Sequence, residues 1–312
     1  MSNTAFIFPG QGSQKVEMGK DIYDNFSYVK DLYNEANDIL SVDLAKITFE
    51  GPIEELTKTQ YTQPALMVTS YALLQVMIKE FGVEVSRDAK YVAGHSLGEY
   101  SALCAAGSLS FSEAVRLLGI RGSQMSSCAE KTEGAMAAII GSENEVVEKI
   151  VAQAAEGDVC QLANDNSVGQ IVISGSKVAV DRAIAIAKSQ GIKRAIPLPV
   201  SGAFHSQLMA EASQAMAEAL REAEVHSPSV PVIANVTAKA VTNSEEIKDL
   251  LAKQVTGCVR WRESLVELES SGVNKVIEIG SGKVLCGLVG RTCKKVESVS
   301  VQNLEDIKDY CV

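Results

Sequence analysis

Residues 94–98 read Gly94-His95-Ser96-Leu97-Gly98, a G-x-S-x-G pentapeptide between the apolar run Tyr91-Val92-Ala93 and the small-residue run from Ser101 to Gly107. In an isolated glycine-rich turn such a pentapeptide means little. Between a strand and a helix it predicts a nucleophile elbow, in which a sharp turn carries the serine at its apex. The pattern constrains the fold because the serine must hold a strained backbone conformation while the helix crosses close against the strand, which is where both glycines are needed. The first free N–H groups of that helix face whatever Ser96 attacks, half of an oxyanion hole. Ser96 is therefore the candidate nucleophile.

Around the elbow, strand and helix alternate. Thr4 to Phe8 is an apolar run ended by Pro9-Gly10-Gln11-Gly12, a strand feeding a tight loop. Residues 29–40 and 63–80 carry helical periodicity, and residues 90–95 form the elbow strand. Ser110 and Glu113 have capping-box spacing and open a helix expected to reach about Cys128. This alternation implies an α/β protein with a parallel sheet. From about Thr132 the pattern changes: a strand over 134–141, a capping box at Ser142 and Glu145 with a helix to about Ala155, strands at 159–163 and 170–174, a helix over 178–189 and a strand over 193–198. That order, βαββαβ, is the split arrangement of ferredoxin-like domains. The expected organisation is a large domain over 1–130 and 200–312 with a ferredoxin-like insert at 131–199. Beyond Pro199 we expect a helix from about Leu208, a strand at 231–236, helices near 245–254 and 261–271, and strands at 274–279 and 296–301.

Composition removes several classes of function. The formal charge of −10, with no Lys/Arg-rich segment, argues against a nucleic-acid binder. The longest apolar stretches are too short to span a bilayer, and the start Met1-Ser2-Asn3-Thr4 lacks the basic region of a signal peptide, so a cytoplasmic protein is expected. Seven scattered cysteines without a C-x-x-C pair predict reduced thiols rather than a disulfide framework or metal site.

A serine hydroxyl needs a base, and the chain has only three histidines. His95 adjoins Ser96, but neighbouring side chains in a turn diverge. His226 lies in the loop Val225-His226-Ser227-Pro228 and reads as a surface residue. His205 lies in the loop returning from the small domain, a usual place for catalytic groups, with helix capping as the plain alternative. Arg121 falls on the apolar stripe of Ala114, Leu117, Leu118 and Met125. A guanidinium is rarely buried without a partner anion, and Gly122 beside it would leave room for a ligand. The alternatives are an arginine that snorkels to the surface or pairs with an internal carboxylate.

Taken together, Phe8-Pro9-Gly10-Gln11-Gly12-Ser13-Gln14, Gly94-His95-Ser96-Leu97-Gly98-Glu99-Tyr100, Arg121, Gly202-Ala203-Phe204-His205, and Gln254 ahead of Trp261 cover nearly the whole chain. They resemble the malonyl-CoA:acyl carrier protein transacylases of type II fatty acid synthesis, whose cousins are the acyltransferase domains of polyketide synthases. The resemblance implies an α/β-hydrolase-like large domain with an inserted ferredoxin-like domain. It implies Ser96 as nucleophile, His205 as base, and the backbone N–H groups of Gln11 and Leu97 as the oxyanion hole. Arg121 would grip the malonyl carboxylate through a bidentate fork, and the Gln254 carbonyl would orient the histidine. Ala203-Phe204 resembles the malonyl-selecting form of that loop in polyketide acyltransferases. One departure stands out: Cys258 occupies a position where proline is usual.

The implied reaction passes malonyl from malonyl-CoA to Ser96 and then to the phosphopantetheine thiol of acyl carrier protein, without metal or redox cofactor. A monomer is expected. The competing readings are a serine thioesterase or esterase on the same elbow, an acyltransferase serving polyketide synthesis, and a non-catalytic scaffold that binds carrier protein. Acyl carrier proteins are acidic and this chain is too, so docking would need a local basic patch. Lys283, Arg291, Lys294 and Lys295 are the candidates, unless they merely form a solvated helix end.

Overall fold

The computed structural model describes residues 3–311; Met1 and Ser2, part of the start read above for a leader, and Val312 lie outside them. Among the described residues ten strands run in chain order: β1 (Thr4–Phe8), β2 (Tyr91–Gly94), β3 (Gly134–Ile140), β4 (Cys160–Ser167), β5 (Gln170–Ser176), β6 (Arg194–Pro197), β7 (Val232–Ala234), β8 (Lys239–Val241), β9 (Lys275–Ile279) and β10 (Glu297–Val301). They form two sheets. The first has the order β10-β9-β1-β2-β7-β8, with β10 to β7 parallel and β8 antiparallel to β7. Strand β1 sits inside this sheet and is apolar on both faces, as a strand covered by helices on each side must be. Phe6 and Phe8 pack into the core around the Thr59–Phe81 helix, while Ala5 and Ile7 pack with Trp261, Leu265 and Leu288 on the other face.

The second sheet has the antiparallel order β4-β5-β3-β6. From Gly134 to Pro197 the elements follow the order βαββαβ, as expected, with helices Asn144–Ala155 and Lys177–Ser189. Ile139, Ile171 and Ile173 bury against Val147, Ile150, Val180 and Ile184 of those helices. Met136, Ala163 and Val172 join the main core with Phe204 and Met209.

Three local expectations change. Strand β4 runs past Ala163 through Asn164-Asp165-Asn166-Ser167, four buried polar residues that read as a loop by composition. They stay extended because the strand is tied across the molecule: Val259 N–H donates to Ala163 O, Asp165 N–H donates to Val259 O, and Arg262 pairs with the Asp165 carboxylate at 2.8 Å. The Ser142 capping box does not form; the helix opens at Asn144, Glu143 stands at the N-cap without a side-chain cap bond, and the Asn144 amide donates to Asp165 instead. The Ser110 box is half made: Ser110 Oγ accepts from Glu113 N–H, but the Glu113 carboxylate is taken by Arg116, and the helix continues to Lys131. Short elements such as Lys20–Asn25, Leu44–Glu50 and β8 span too few residues for periodicity to register.

The basic residues near the C-terminus do not form one patch. Lys283 caps the start of the Val284–Thr292 helix, at the C-terminal end of β9. That helix runs back to the N-terminal ends of the strands before the parallel strand β10 begins, so Arg291, Lys294 and Lys295 lie away from the elbow, which stands at the C-terminal end of β2. Arg291 is bonded to Gln170, and the cluster stands at a helix C-terminus, where cations suit the dipole.

At the elbow the contacts are backbone on backbone. A Cβ on Gly94 would lie 1.8 Å from Gly98 O, and one on Gly98 would lie 2.3 Å from Phe8 O. Because no flexible side chain can move aside, Gly98→Ala should destabilise the protein by at least ~1–3 kcal/mol, read as a lower urea midpoint. An unchanged midpoint would mean that helix and strand cross less closely than described.

Candidate active site

Ser96 lies between the end of β2 and the Gly98–Ala105 helix with φ 54°, in the left-handed region that a non-glycine residue adopts only when held there. Asn235, just after β7, does the holding. Its Oδ1 accepts the Ser96 N–H at 2.7 Å, and its Nδ2 donates to Gly94 O at 2.7 Å. The side-chain amide thus spans the turn from both ends. Nothing in the local sequence marks Asn235, since the elbow it clamps is more than a hundred residues away.

His205, also at positive φ (56°), is buried and places Nε2 2.8 Å from Ser96 Oγ. Its Nδ1 lies 2.8 Å from the Gln254 carbonyl oxygen. A carbonyl only accepts, so Nδ1 carries the proton and Nε2 is left to receive the serine hydroxyl's. No carboxylate is needed to set this tautomer. Burial, then the nearby Arg121 charge, depresses the His205 pKa to about 3, so the ring is neutral at physiological pH. Cys258 does not disturb the arrangement, because the Gln254 carbonyl still meets the ring. The other histidines lie elsewhere, as expected. His95 turns away to Asn166 Oδ1 at 2.8 Å and meets Trp261 edge-on at 5.6 Å; His226 is exposed beside Glu224.

Arg121 is fully buried (0% exposed), which excludes the snorkelling alternative. It makes no ion pair among the described residues. Its Nη1 donates to Gln63 Oε1 at 2.7 Å, and Nη2 donates to Gln254 Oε1 at 2.9 Å and Ser96 Oγ at 3.1 Å. Its partners are neutral, its Nε has none, and burial lowers its pKa. The guanidinium is thus part-satisfied in hydrogen bonds and uncompensated by any touching charge. Gly122 does not make room for a ligand: a Cβ there would strike Gln60 Cα at 2.8 Å and Thr59 O at 2.9 Å, so the glycine serves helix contact.

The groups converge on a cavity of about 130 Å³ lined by Ser96, His205, Gln11, Gln63, Phe204 and Met125, among others. It shares Gln11, Leu198 and Val200 with an outer groove of about 790 Å³. Phe204 stands in the wall, as anticipated. Among the described residues the backbone N–H groups of Gln11 and Leu97 have no protein acceptor. Sequence reasoning missed Asn235, Gln63, Asn164 and Asn166, and gave Glu99 no role. Glu99 alone carried a signal, an acid in an otherwise small and apolar helix. Among the described residues no cluster of three or more His, Cys, Asp or Glu could hold a metal ion, and no helix is long and apolar enough to cross a membrane.

The depressed His205 pKa has a testable sign. Between about pH 6.5 and about pH 3 the unfolded chain binds a proton at this histidine that the folded chain refuses. Stability therefore rises with pH across that window and is lost as pH falls through it. Nitrogen NMR should find His205 as the neutral Nδ1–H tautomer at pH 5. A ring titrating near 6.5 would contradict the burial described.

Comparison with known proteins places the chain in a family. The acyl transferase domain model matches residues 5–307. The malonyl CoA-acyl carrier protein transacylase of Bacillus subtilis is 45% identical over 309 residues, covering 99% of this chain and 96% of its own. The acyl-carrier-protein-S-malonyltransferase structure from Bartonella henselae is 48% identical with a TM-score of 0.96, over 99% of this chain and 98% of its own. A malonyl-transacylase structure in complex with a type II PKS acyl-carrier protein is 39% identical with a TM-score of 0.94, over 98% of each chain. With a nucleophile elbow, a carbonyl-oriented histidine and a buried arginine on one serine, the chain belongs to the acyl transferase family, among its malonyl-CoA:acyl carrier protein transacylases.

Proposed function

We propose that the protein transfers malonyl from malonyl-CoA to the phosphopantetheine thiol of acyl carrier protein, supplying fatty acid synthesis, through a malonyl ester on Ser96. The observation that carries this is Arg121: a buried cation with only neutral partners, in contact with the hydroxyl to be acylated. A thioesterase would have no use for an uncompensated charge at that position, since water and a simple acyl group bring no anion. Ser96 attacks the thioester carbonyl as its proton passes to His205 Nε2, and the Gln11 and Leu97 N–H groups receive the developing oxyanion. His205 returns the proton to the leaving thiol. Once Ser96 Oγ is an ester oxygen it is a poorer acceptor, and Arg121 Nη2 turns to the malonyl carboxylate. The carrier's thiol then repeats the steps in reverse. Thioester and oxygen ester differ little in energy, so the exchange runs both ways.

The same reading assigns an α/β-hydrolase-like catalytic domain to 1–130 and 200–312 and a ferredoxin-like insert to 131–199. The parallel run of the larger sheet and the βαββαβ order of the smaller support it. Phe204 bounds the acyl cavity, Gln254 orients His205, and the enzyme works in the cytoplasm.

Intact-mass measurement after mixing with malonyl-CoA should give one malonyl adduct, absent from Ser96→Ala; an undiminished adduct in that variant would sink the assignment. His205→Ala should slow acylation by roughly 10²–10⁴ with the fold intact. Arg121→Ala should cost roughly 2–5 kcal/mol in malonyl transfer while acetyl transfer, with no carboxylate to lose, suffers less. An equal fall in kcat/KM for both donors would make Arg121 a structural residue only.

A further inference from the structure

The Gln254 carboxamide stands between two buried charges of opposite sign. Its Oε1 accepts from Arg121, and its Nε2 donates to Glu99 Oε2 at 2.7 Å. Glu99 is 3% exposed and also accepts the Asn235 N–H at 3.1 Å. Its carboxylate is thus tied to the two residues that brace the elbow, yet it touches neither Ser96 Oγ nor His205. Among the described residues no direct ion pair joins Glu99 to Arg121. The proposed reaction makes no use of this acid.

We propose that Glu99 is the charge-balancing proton acceptor of the site: loading malonyl onto Ser96 draws a proton from solvent onto the Glu99 carboxylate, whereas loading an acyl group without a carboxylate does not. This inference rests on the malonyl-transfer reading above. In the free protein one cation and one anion face each other across an amide, both of them buried. A malonyl carboxylate drawn to Arg121 brings a second anion into the same desolvated region. Two carboxylates around one guanidinium cannot both stay ionised at low cost. The malonyl group sits on the guanidinium itself, whereas Glu99 has only neutral N–H donors, so Glu99 is the one to be neutralised.

The surroundings leave few other candidates. The ionisable groups facing Glu99 are Arg121, from the Phe111–Lys131 helix, and the neighbouring Tyr100 phenol. Gln254 and Asn235 face it with neutral groups. Strands β1 and β2 contain no charged residue, and the charged residues of the Thr59–Phe81 helix, Lys79 and Glu80, lie in its last turn. Burial already pushes the Glu99 acid up to about 7 against the hydrogen bonds from the Asn235 N–H and the Gln254 amide and, last, the pull of Arg121. Engaging Arg121 with a second anion weakens that pull. The acylation itself is proton-neutral: the Ser96 O–H and thioester C–S bonds break, the ester C–O bond forms, and the hydroxyl proton leaves on the coenzyme A thiol through His205. The proton on Glu99 comes separately from solvent and is released when malonyl departs to the carrier.

The test mixes the enzyme with malonyl-CoA in weakly buffered indicator solution near pH 7.5, counts protons per coenzyme A released, and takes the same sample for intact mass. We expect net uptake of more than about half a proton per malonyl group. Partial ionisation of the released thiol has the opposite sign, so net uptake cannot come from that source. Acetyl-CoA, and malonyl-CoA with Glu99→Gln, should show no uptake. A normal malonyl adduct with zero or negative uptake would overturn the proposal while leaving the function intact. Uptake that persists in Glu99→Gln would assign the proton to His205 and also overturn it. Absence of any adduct would instead refute the malonyl-transfer reading. Should Glu99→Gln fail to fold, nitrogen NMR of the malonyl-loaded wild type decides: net uptake with His205 still neutral leaves Glu99 as the acceptor, whereas a protonated His205 ring, or zero or negative uptake, overturns the proposal.

Discussion

Everything at this site depends on how closely the Gly98–Ala105 helix crosses the ends of β1 and β2. With Gly98 against Phe8 O and Gly94 against Gly98 O, the chain has no path from strand to helix except the tight one that sets Ser96 at φ 54°. A left-handed serine costs of order 1–3 kcal/mol and persists only where its surroundings over-determine it. They do so here through Asn235, which clamps Gly94 O and Ser96 N–H with one amide, and through the Gln254 Nε2, which donates to Ser96 O at 3.0 Å. The strain places the hydroxyl clear of the turn, with His205 on one side and Arg121 on the other.

Gln254 couples these constraints. Its backbone carbonyl fixes the His205 tautomer, its side-chain oxygen holds Arg121, and its side-chain nitrogen reaches Ser96 O and Glu99. An acidic third member would have brought a full negative charge against the histidine and raised its pKa. A carbonyl orients the ring with only a dipole, leaving His205 neutral beside a buried cation. The positive charge on Arg121 is then not cancelled by its own catalytic neighbours, and an incoming anion feels it in a medium of low dielectric.

Legibility in the sequence followed the range of the interaction. The elbow was readable because its geometry is set within five residues, and the βαββαβ order because long apolar periods survive in sequence. Ser96, His205 and Arg121 could be singled out from chemistry: a serine at a turn, a histidine in an inter-element loop, an arginine on an apolar stripe. Asn235, Gln63 and Asn166 could not, since an amide's role depends wholly on what folds against it. The same holds for β4, where four polar residues read as loop yet form a buried strand end through Val259, Arg262 and His95. Gly122 was misjudged, and the C-terminal basic residues stayed open between two readings, for a related reason. A glycine looks the same in sequence whether it faces a ligand or a helix backbone, and residues close along the chain can stand at opposite ends of neighbouring strands.

Polar side chains along the whole of β4 also explain why the two sheets act on one cavity. Gln161 donates to the carbonyls of His205 and Thr256, and its own oxygen accepts the Gln207 N–H. Asn166 meets His95 beside the nucleophile, and Asn164 lines the cavity. A single strand of the smaller sheet therefore touches the histidine loop, the elbow and the segment leading to Trp261. Rigid rotation of that sheet would have to break bonds at all three together, which disfavours small independent movements of His205 relative to Ser96. On the proposed reading this matters most for the carrier's thiol, which must approach along the outer groove past Leu198 and Val200, on the chain leading out of β6. The bonds along β4 hold the histidine loop and the elbow together beside that groove.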